Sequence, residues 1–156
     1  ERSQIAHPLD GFGFLIPKID GLRILGTLFS STLWPHAAPA GKVLLRTMIG
    51  GGRQPEIASL PDDALIDLVC EEFSELLGLV GRPVYTHIVR HPRGIPEYPV
   101  GHQETIRRLK SQLDGTRLHL AGNAWDGIGF NDCVAAALPR ARAILEEIQE
   151  TRREEG

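Results

Sequence analysis

"GFGFLIPKIDGLRILGTLFSSTLWPHAAPAGKVLLRTMIG", residues 11–50, holds three strand-like runs in a row with no helical period between them. The first, "GFGFLIP" (11–17), is apolar and aromatic, is closed by Pro17 and reads as a buried strand. Lys18-Ile19-Asp20-Gly21 is a short turn-forming link, so "LRILGTLFSS" (22–31) is expected to return beside the first run as a hairpin. "WPHAAPAG" (34–41) carries two prolines and a glycine and reads as a loop, and "KVLLRTMIG" (42–50) is the third strand candidate. Strands that follow one another this closely pair antiparallel, because a parallel partner needs a long crossover. The fold class is therefore α+β rather than doubly wound.

Downstream the period changes. Asp62 or Asp63 can cap a helix, and Leu65, Ile66, Val69, Phe73, Leu76 and Leu77 recur at three- and four-residue spacing as far as Gly78. "PVYTHIVRH" (83–91) is β-branched and aromatic and predicts a fourth strand, while "PRGIPEYPVGH" (92–102), with three prolines, predicts irregular backbone. Ile106, Leu109 and Leu113 mark a short helix ended by Asp114-Gly115. A strand over 117–121 is expected next, then a glycine turn, then a helix from about Asn131 to about Glu150. Pro139 falls inside that helix and is expected to kink it. The whole reads as a mostly antiparallel sheet with about three helices.

Composition bounds the function. A chain of 156 residues with 42% hydrophobic and 24% charged residues can build a core of ordinary size. A net charge of −3, with no basic stripe, gives no reason to expect a nucleic-acid partner. No apolar run approaches the roughly 18 residues of a membrane helix. Cys70 and Cys133 make no disulfide scaffold, so a reduced, cytoplasmic setting is expected. The chain opens Glu1-Arg2-Ser3-Gln4, with neither methionine nor the basic and apolar regions of a secretory leader, as a piece of a longer protein would.

"AGNAWDGIGFNDCV" (121–134) is the strongest chemical signal. A glycine-laden turn that opens a helix offers backbone N–H groups and the positive end of a helix dipole to an anion or a flat cofactor. Asn131 and Asp132 suit the cap. The pattern is neither a dinucleotide fingerprint nor a Walker loop, and on pattern alone an unliganded strand–helix turn stays equally open. Gly50-Gly51-Gly52-Arg53 reads as a mobile connector rather than a phosphate cradle. His87 and His91 share a face of the predicted strand, but no carboxylate or cysteine stands at ligand spacing, so no metal site is expected. Cys70 reads as core packing, and Cys133 has no base placed beside it. Phe12, Phe14, Leu15 and Trp34 are core by default and become a ligand wall only where the fold opens.

Four segments in order, "GFGFLIP", "LRILGTLFSSTLWPHAAPAGKVLLRTMIGG", "GIPEYPVGH" and "LHLAGNAWDGIGFNDCV", resemble the C-terminal part of the flavin-dependent protoporphyrinogen oxidases, in the amine-oxidase-like flavoprotein superfamily. The resemblance covers about residues 10 to 145. It implies a C-terminal piece of a two-domain FAD-dependent oxidase. Residues 1–113 would then belong to the substrate-binding domain, and residues 114–156 would be the last strand, turn and helix of the FAD-binding domain.

The implied reaction is oxidation of protoporphyrinogen IX to protoporphyrin IX in heme biosynthesis, with a sister activity on coproporphyrinogen or an amine, or a non-catalytic stand-alone domain, as alternatives. Carried onto this chain, the flavin-side residues are Gly122, Asn123, Gly127, Ile128, Gly129 and Phe130, and the substrate-side residues are Leu15 and Trp34. Trp34 takes a position that is often phenylalanine, and His91 stands where many relatives carry tryptophan. No residue reads as an essential acid or base. The expected partners are the porphyrinogen and the rest of the flavoprotein chain, through which any contact with a membrane surface would come. The piece by itself is expected to be inactive and not to retain FAD.

Overall fold

The computed structural model describes residues 1–92 and 94–154, in two compact units, Glu1–Arg90 and His91–Gly156. The first is built on a three-stranded antiparallel sheet in the order β1 (Gly13–Leu15), β2 (Ile24–Leu28), β3 (Arg46–Ile49). The hairpin expected across 18–21 is present: Gly13 stands opposite Leu28, and Leu15 opposite Gly26. β2 and β3 pair Thr27 with Thr47, with an irregularity between Ile24 and Gly26. Gly13 is required where it stands. A Cβ there would collide with the Thr27 carbonyl oxygen and come within 2.9 Å of the Leu28 Cα, so only glycine lets β1 lie this close to β2.

Helix α2 (Asp62–Leu77) covers the sheet. Its first turn carries Asp62 and Asp63 at the positive end of the dipole, and Gly78 ends it in the left-handed conformation. Leu65, Leu68, Phe73 and Leu77 join Ile5, Leu9, Ile16, Ile24, Phe29 and Ile57 in one hydrophobic core. Leu68 and Glu72 are buried on this helix although the apolar spacing left them out. Glu72 is there for hydrogen bonds. Its Oε1 accepts from Arg23 N at 2.8 Å and Arg23 Nε at 3.0 Å, and its Oε2 accepts from Ile24 N at 3.1 Å. The carboxylate thus receives two backbone N–H groups at the head of the central strand and fastens the helix to the sheet.

Residues 1–10 contribute more than their sequence suggested. Ile5 bridges Leu79, His7 N donates to Leu77 O at 3.0 Å, and Arg2 gathers the Ile5, His7 and Pro8 carbonyls. The Leu77 carbonyl at the end of α2 is thereby satisfied.

Several expectations are corrected. "GFGFLIP" is not a buried strand. β1 is an edge strand whose side chains alternate, so Phe14 packs on the core while Leu15 is 78% exposed, and Phe12 is exposed as well. Phe12, Leu15 and Trp34 are not core. Ser30–Leu33 forms a single helical turn, α1, at the end of the second run. Residues 83–91 are not a strand. Arg90 holds the Ala58 and Leu60 carbonyls and Asp62, and Ile88 rests on the core, but no ladder partner lies beside them among the described residues. His87 and His91 therefore share no strand face. The loop after β3 is a connector, and Arg53 donates to Ile16 O at 3.0 Å.

The second unit contains α3 (His102–Leu113) and α4 (Phe130–Glu154). The helix α4 runs unbroken through Pro139. Residues 117–121, expected as a strand, form none, and again no neighbouring strand is present among the described residues. A β ladder needs two partners, and a sequence rich in β formers cannot supply the second.

Candidate functional site

The glycine turn sits between segment 117–121 and α4, entirely within the second unit. Gly122 opens it at φ 114 and Gly127 lies at φ 125, both in territory that a side chain disfavours. The Gly122 carbonyl accepts from Trp125 N at 2.9 Å and Asp126 N at 3.0 Å. Asp126 closes the loop: its Oδ2 accepts from Gly122 N at 3.3 Å, and its Oδ1 pairs with Arg140 of α4 at 3.2 Å. With only 12% of its side chain exposed, this carboxylate braces the turn from within.

At the helix start, Asp132 reaches back from the first turn to accept from Gly129 N at 3.1 Å, half of a capping box. The glycines at 127 and 129 make room for it, since a Cβ on either would come within 2.7 Å of the Asp132 side chain. Cys133 donates its thiol to the Gly127 carbonyl at 3.6 Å.

What remains open is the donor surface. Among the described residues, the N–H groups of Asn123, Ala124, Gly127, Ile128, Phe130 and Asn131 have no protein partner. Phe130 is 83% exposed and Ile128 is exposed beside it. A run of free donors next to flat apolar surface fits the edge of a heteroaromatic ring and its anionic tail. The sequence-predicted residues Gly122, Asn123, Gly127, Ile128, Gly129 and Phe130 thus fall on one turn. Their glycines serve two ends, the positive φ at 122 and the approach of Asp132 at 127 and 129.

Tyr98, Asp126 and Arg140 were missed. Tyr98 lies in "GIPEYPVGH", and its hydroxyl donates to the Asn123 carbonyl. An aspartate four residues after the first glycine of a turn was the available signal for Asp126. Nothing local marks Arg140.

Beside the turn lies an open hollow of about 450 Å³, bordered by Leu118, Leu120, Trp125 and Arg140. His119 and Glu147 face one another across 2.7 Å at its side. No group of three or more His, Cys, Asp or Glu side chains that could hold a metal ion occurs among the described residues. Cys70 is partly buried, and desolvation pushes its thiol up. In the first unit, Trp34 is 46% exposed at the end of α1.

Residues 5–145 match the flavin containing amine oxidoreductase family. The chain belongs to that family. It is 32% identical over 133 residues to the coproporphyrinogen III oxidase of Bacillus subtilis (strain 168), covering 84% of this chain and 28% of that protein. With the chloroplastic protoporphyrinogen oxidase of Nicotiana tabacum it shares 35% identity over 141 residues, 87% of this chain and 26% of the relative.

A solved structure, "Putative protoporphyrinogen oxidase from Exiguobacterium sp. 255-15", superposes with a TM-score of 0.76 at 28% identity, covering 90% of this chain and 32% of that one. The chain therefore spans under a third of the length of these relatives. As a member of this flavin-containing family it is an α+β piece of a flavoprotein, and the family implies a flavin cofactor. No helix among the described residues is long and apolar enough to cross a membrane.

Proposed function

We propose that this chain is the C-terminal part of an FAD-dependent oxidase that converts protoporphyrinogen IX to protoporphyrin IX. The observation that carries the reading is the open turn 122–130 in a chain whose named relatives are porphyrinogen oxidases. FAD, when bound, supplies the electron acceptor. The chain's own residues bind and orient. The free N–H groups from Asn123 to Asn131 donate to the electron-rich edge of the ring, and Ile128 and Phe130 cover it from water. The Asp126–Arg140 pair keeps the turn rigid, so that those donors need no reordering when the ring arrives. Leu15 and Trp34, exposed in the first unit, flank the apolar tetrapyrrole.

In this reading residues 1–113 belong to the substrate-binding domain and 114–156 to the FAD-binding domain. That division concerns how the chain joins the rest of its protein, and it is separate from the compact units that part at Arg90. Segment 117–121, with Leu118 and Leu120 exposed beside the hollow, takes its ladder partner from elsewhere in that protein. Such a strand cannot leave its backbone groups unpaired in a folded core. The two free cysteines fit a reduced, cytoplasmic setting.

The runner-up substrate is coproporphyrinogen III, favoured by relatives of that name in Bacillus subtilis and Staphylococcus aureus. Produced at its natural length, the protein should purify yellow and generate porphyrin fluorescence from protoporphyrinogen IX. Parallel assays with coproporphyrinogen III decide the substrate. A colourless protein with neither activity overturns the reading.

A further inference from the structure

The segment "GIPEYPVGH" has a structural task that the flavin turn leaves unexplained. Its Tyr98 hydroxyl donates to the Asn123 carbonyl, 25 residues away in sequence. The tyrosine ring cannot easily swing off that bond, because it stacks on His102, with centroids 4.0 Å apart and planes 11° from parallel. His102 is itself anchored as the first residue of α3, and its N–H donates to Pro99 O at 3.0 Å. The peptide groups on either side of Asn123–Ala124 are held separately, since the Gly122 C=O accepts from Trp125 N and Asp126 N, and the Trp125 N–H is the donor of the Ala124–Trp125 peptide. Among the described residues, the Asn123–Ala124 peptide has only Tyr98 to hold it. Because a trans peptide is planar, its C=O and N–H point opposite ways, so fixing the Asn123 carbonyl fixes the Ala124 N–H as well. That N–H is one of the free donors.

We propose that Tyr98 is a positioning residue for the flavin-side turn: through the Asn123 carbonyl it sets the direction of the Ala124 N–H toward the cofactor. The proposal rests on the reading of the turn as a flavin site. In this role Tyr98 acts through the Asn123 carbonyl. It makes the donor ready before the ring binds, and the benefit appears in cofactor affinity and in the electronic state of the ring rather than in folding.

The test uses the protein at natural length, with Tyr98→Phe, which keeps the ring stack and loses the hydroxyl, and Tyr98→Leu, which loses both. Tyr85→Phe, at an exposed tyrosine of the first unit, is the control. FAD dissociation constants, the visible flavin spectrum and thermal midpoints are measured on each. One lost hydrogen bond predicts roughly three- to tenfold weaker FAD binding in Tyr98→Phe. Its flavin bands should shift while its thermal midpoint in the absence of FAD stays at the wild-type value. Tyr98→Leu should lose more affinity, and Tyr85→Phe none.

Tyr98→Phe with wild-type FAD affinity and spectrum overturns the proposal and leaves the flavin reading intact. So does a fall in the FAD-free thermal midpoint that accounts for the lost affinity, because the bond would then be structural only. A wild-type protein that binds no FAD overturns both.

Discussion

Replacing Glu72 by leucine is the sharpest test of how the first unit is held together. The carboxylate is 3% exposed and receives three N–H groups: Arg23 N, Arg23 Nε and Ile24 N. Leucine fills a similar space but accepts none of them. The guanidinium of Arg23 is partly exposed and keeps its contact with Glu71, so its loss is small. The two backbone donors cannot be relocated. Ile24 is fully buried at the centre of the core, and each stranded donor costs about 1–3 kcal/mol.

The sum for Glu72→Leu is roughly 2–6 kcal/mol, set by the two stranded backbone donors. Glu72→Gln keeps one acceptor oxygen and should cost about half as much. Glu71→Leu, which removes only the exposed partner, should cost under about 1 kcal/mol. Urea melts of the four proteins, followed by circular dichroism, measure these differences. If Glu72→Leu costs no more than Glu71→Leu, the backbone donors have found other partners and the account of the helix-to-sheet clamp is wrong.

The 156-residue chain by itself should not retain FAD, since the turn offers a few hydrogen bonds and the chain has no glycine fingerprint for the pyrophosphate; a yellow preparation with stoichiometric flavin would refute this. Trp34→Ala should cost under about 1 kcal/mol of stability, because the indole is already half in solvent, whereas truncating a core tryptophan costs roughly 3–5 kcal/mol. At natural length the same change should lower porphyrinogen turnover, and a large loss of stability in the urea melt counts against a wall position. Gly127→Ala should weaken FAD binding more than Gly129→Ala. Position 127 combines φ 125 with a contact on Asp132 Cβ, while at 129 only the flexible Oδ2 must move. Fluorescence titration of the two variants gives the order, and equal affinities would show that backbone strain at 127 is not what the glycine serves.

Local information fixed a good deal here. Hydrophobic period and turn residues are properties of a few neighbouring positions, so the β1–β2 hairpin, the span of α2 ending at Gly78, α3 ending at Leu113 and the opening of α4 at the glycine turn could be read from the chain alone. The motif order also revealed the family, because glycines and prolines at particular places record where backbone comes close to backbone or turns sharply.

What needed tertiary structure was every feature with a distant partner. Residues 83–91 and 117–121 have the composition of strands and form none, since a ladder depends on a neighbour that composition cannot name. Nothing local marks Glu72, whose two backbone donors come from the head of β2, some fifty residues earlier. The exposure of Leu15 followed from its place on the face of β1 opposite Phe14, which packs on the core. Tyr98 and Arg140 meet the glycine turn from 25 and 14 residues away, and a hydrogen bond across that distance leaves no period in the sequence. Side-chain identity sets what a residue can offer, and only the folded chain decides which group receives it.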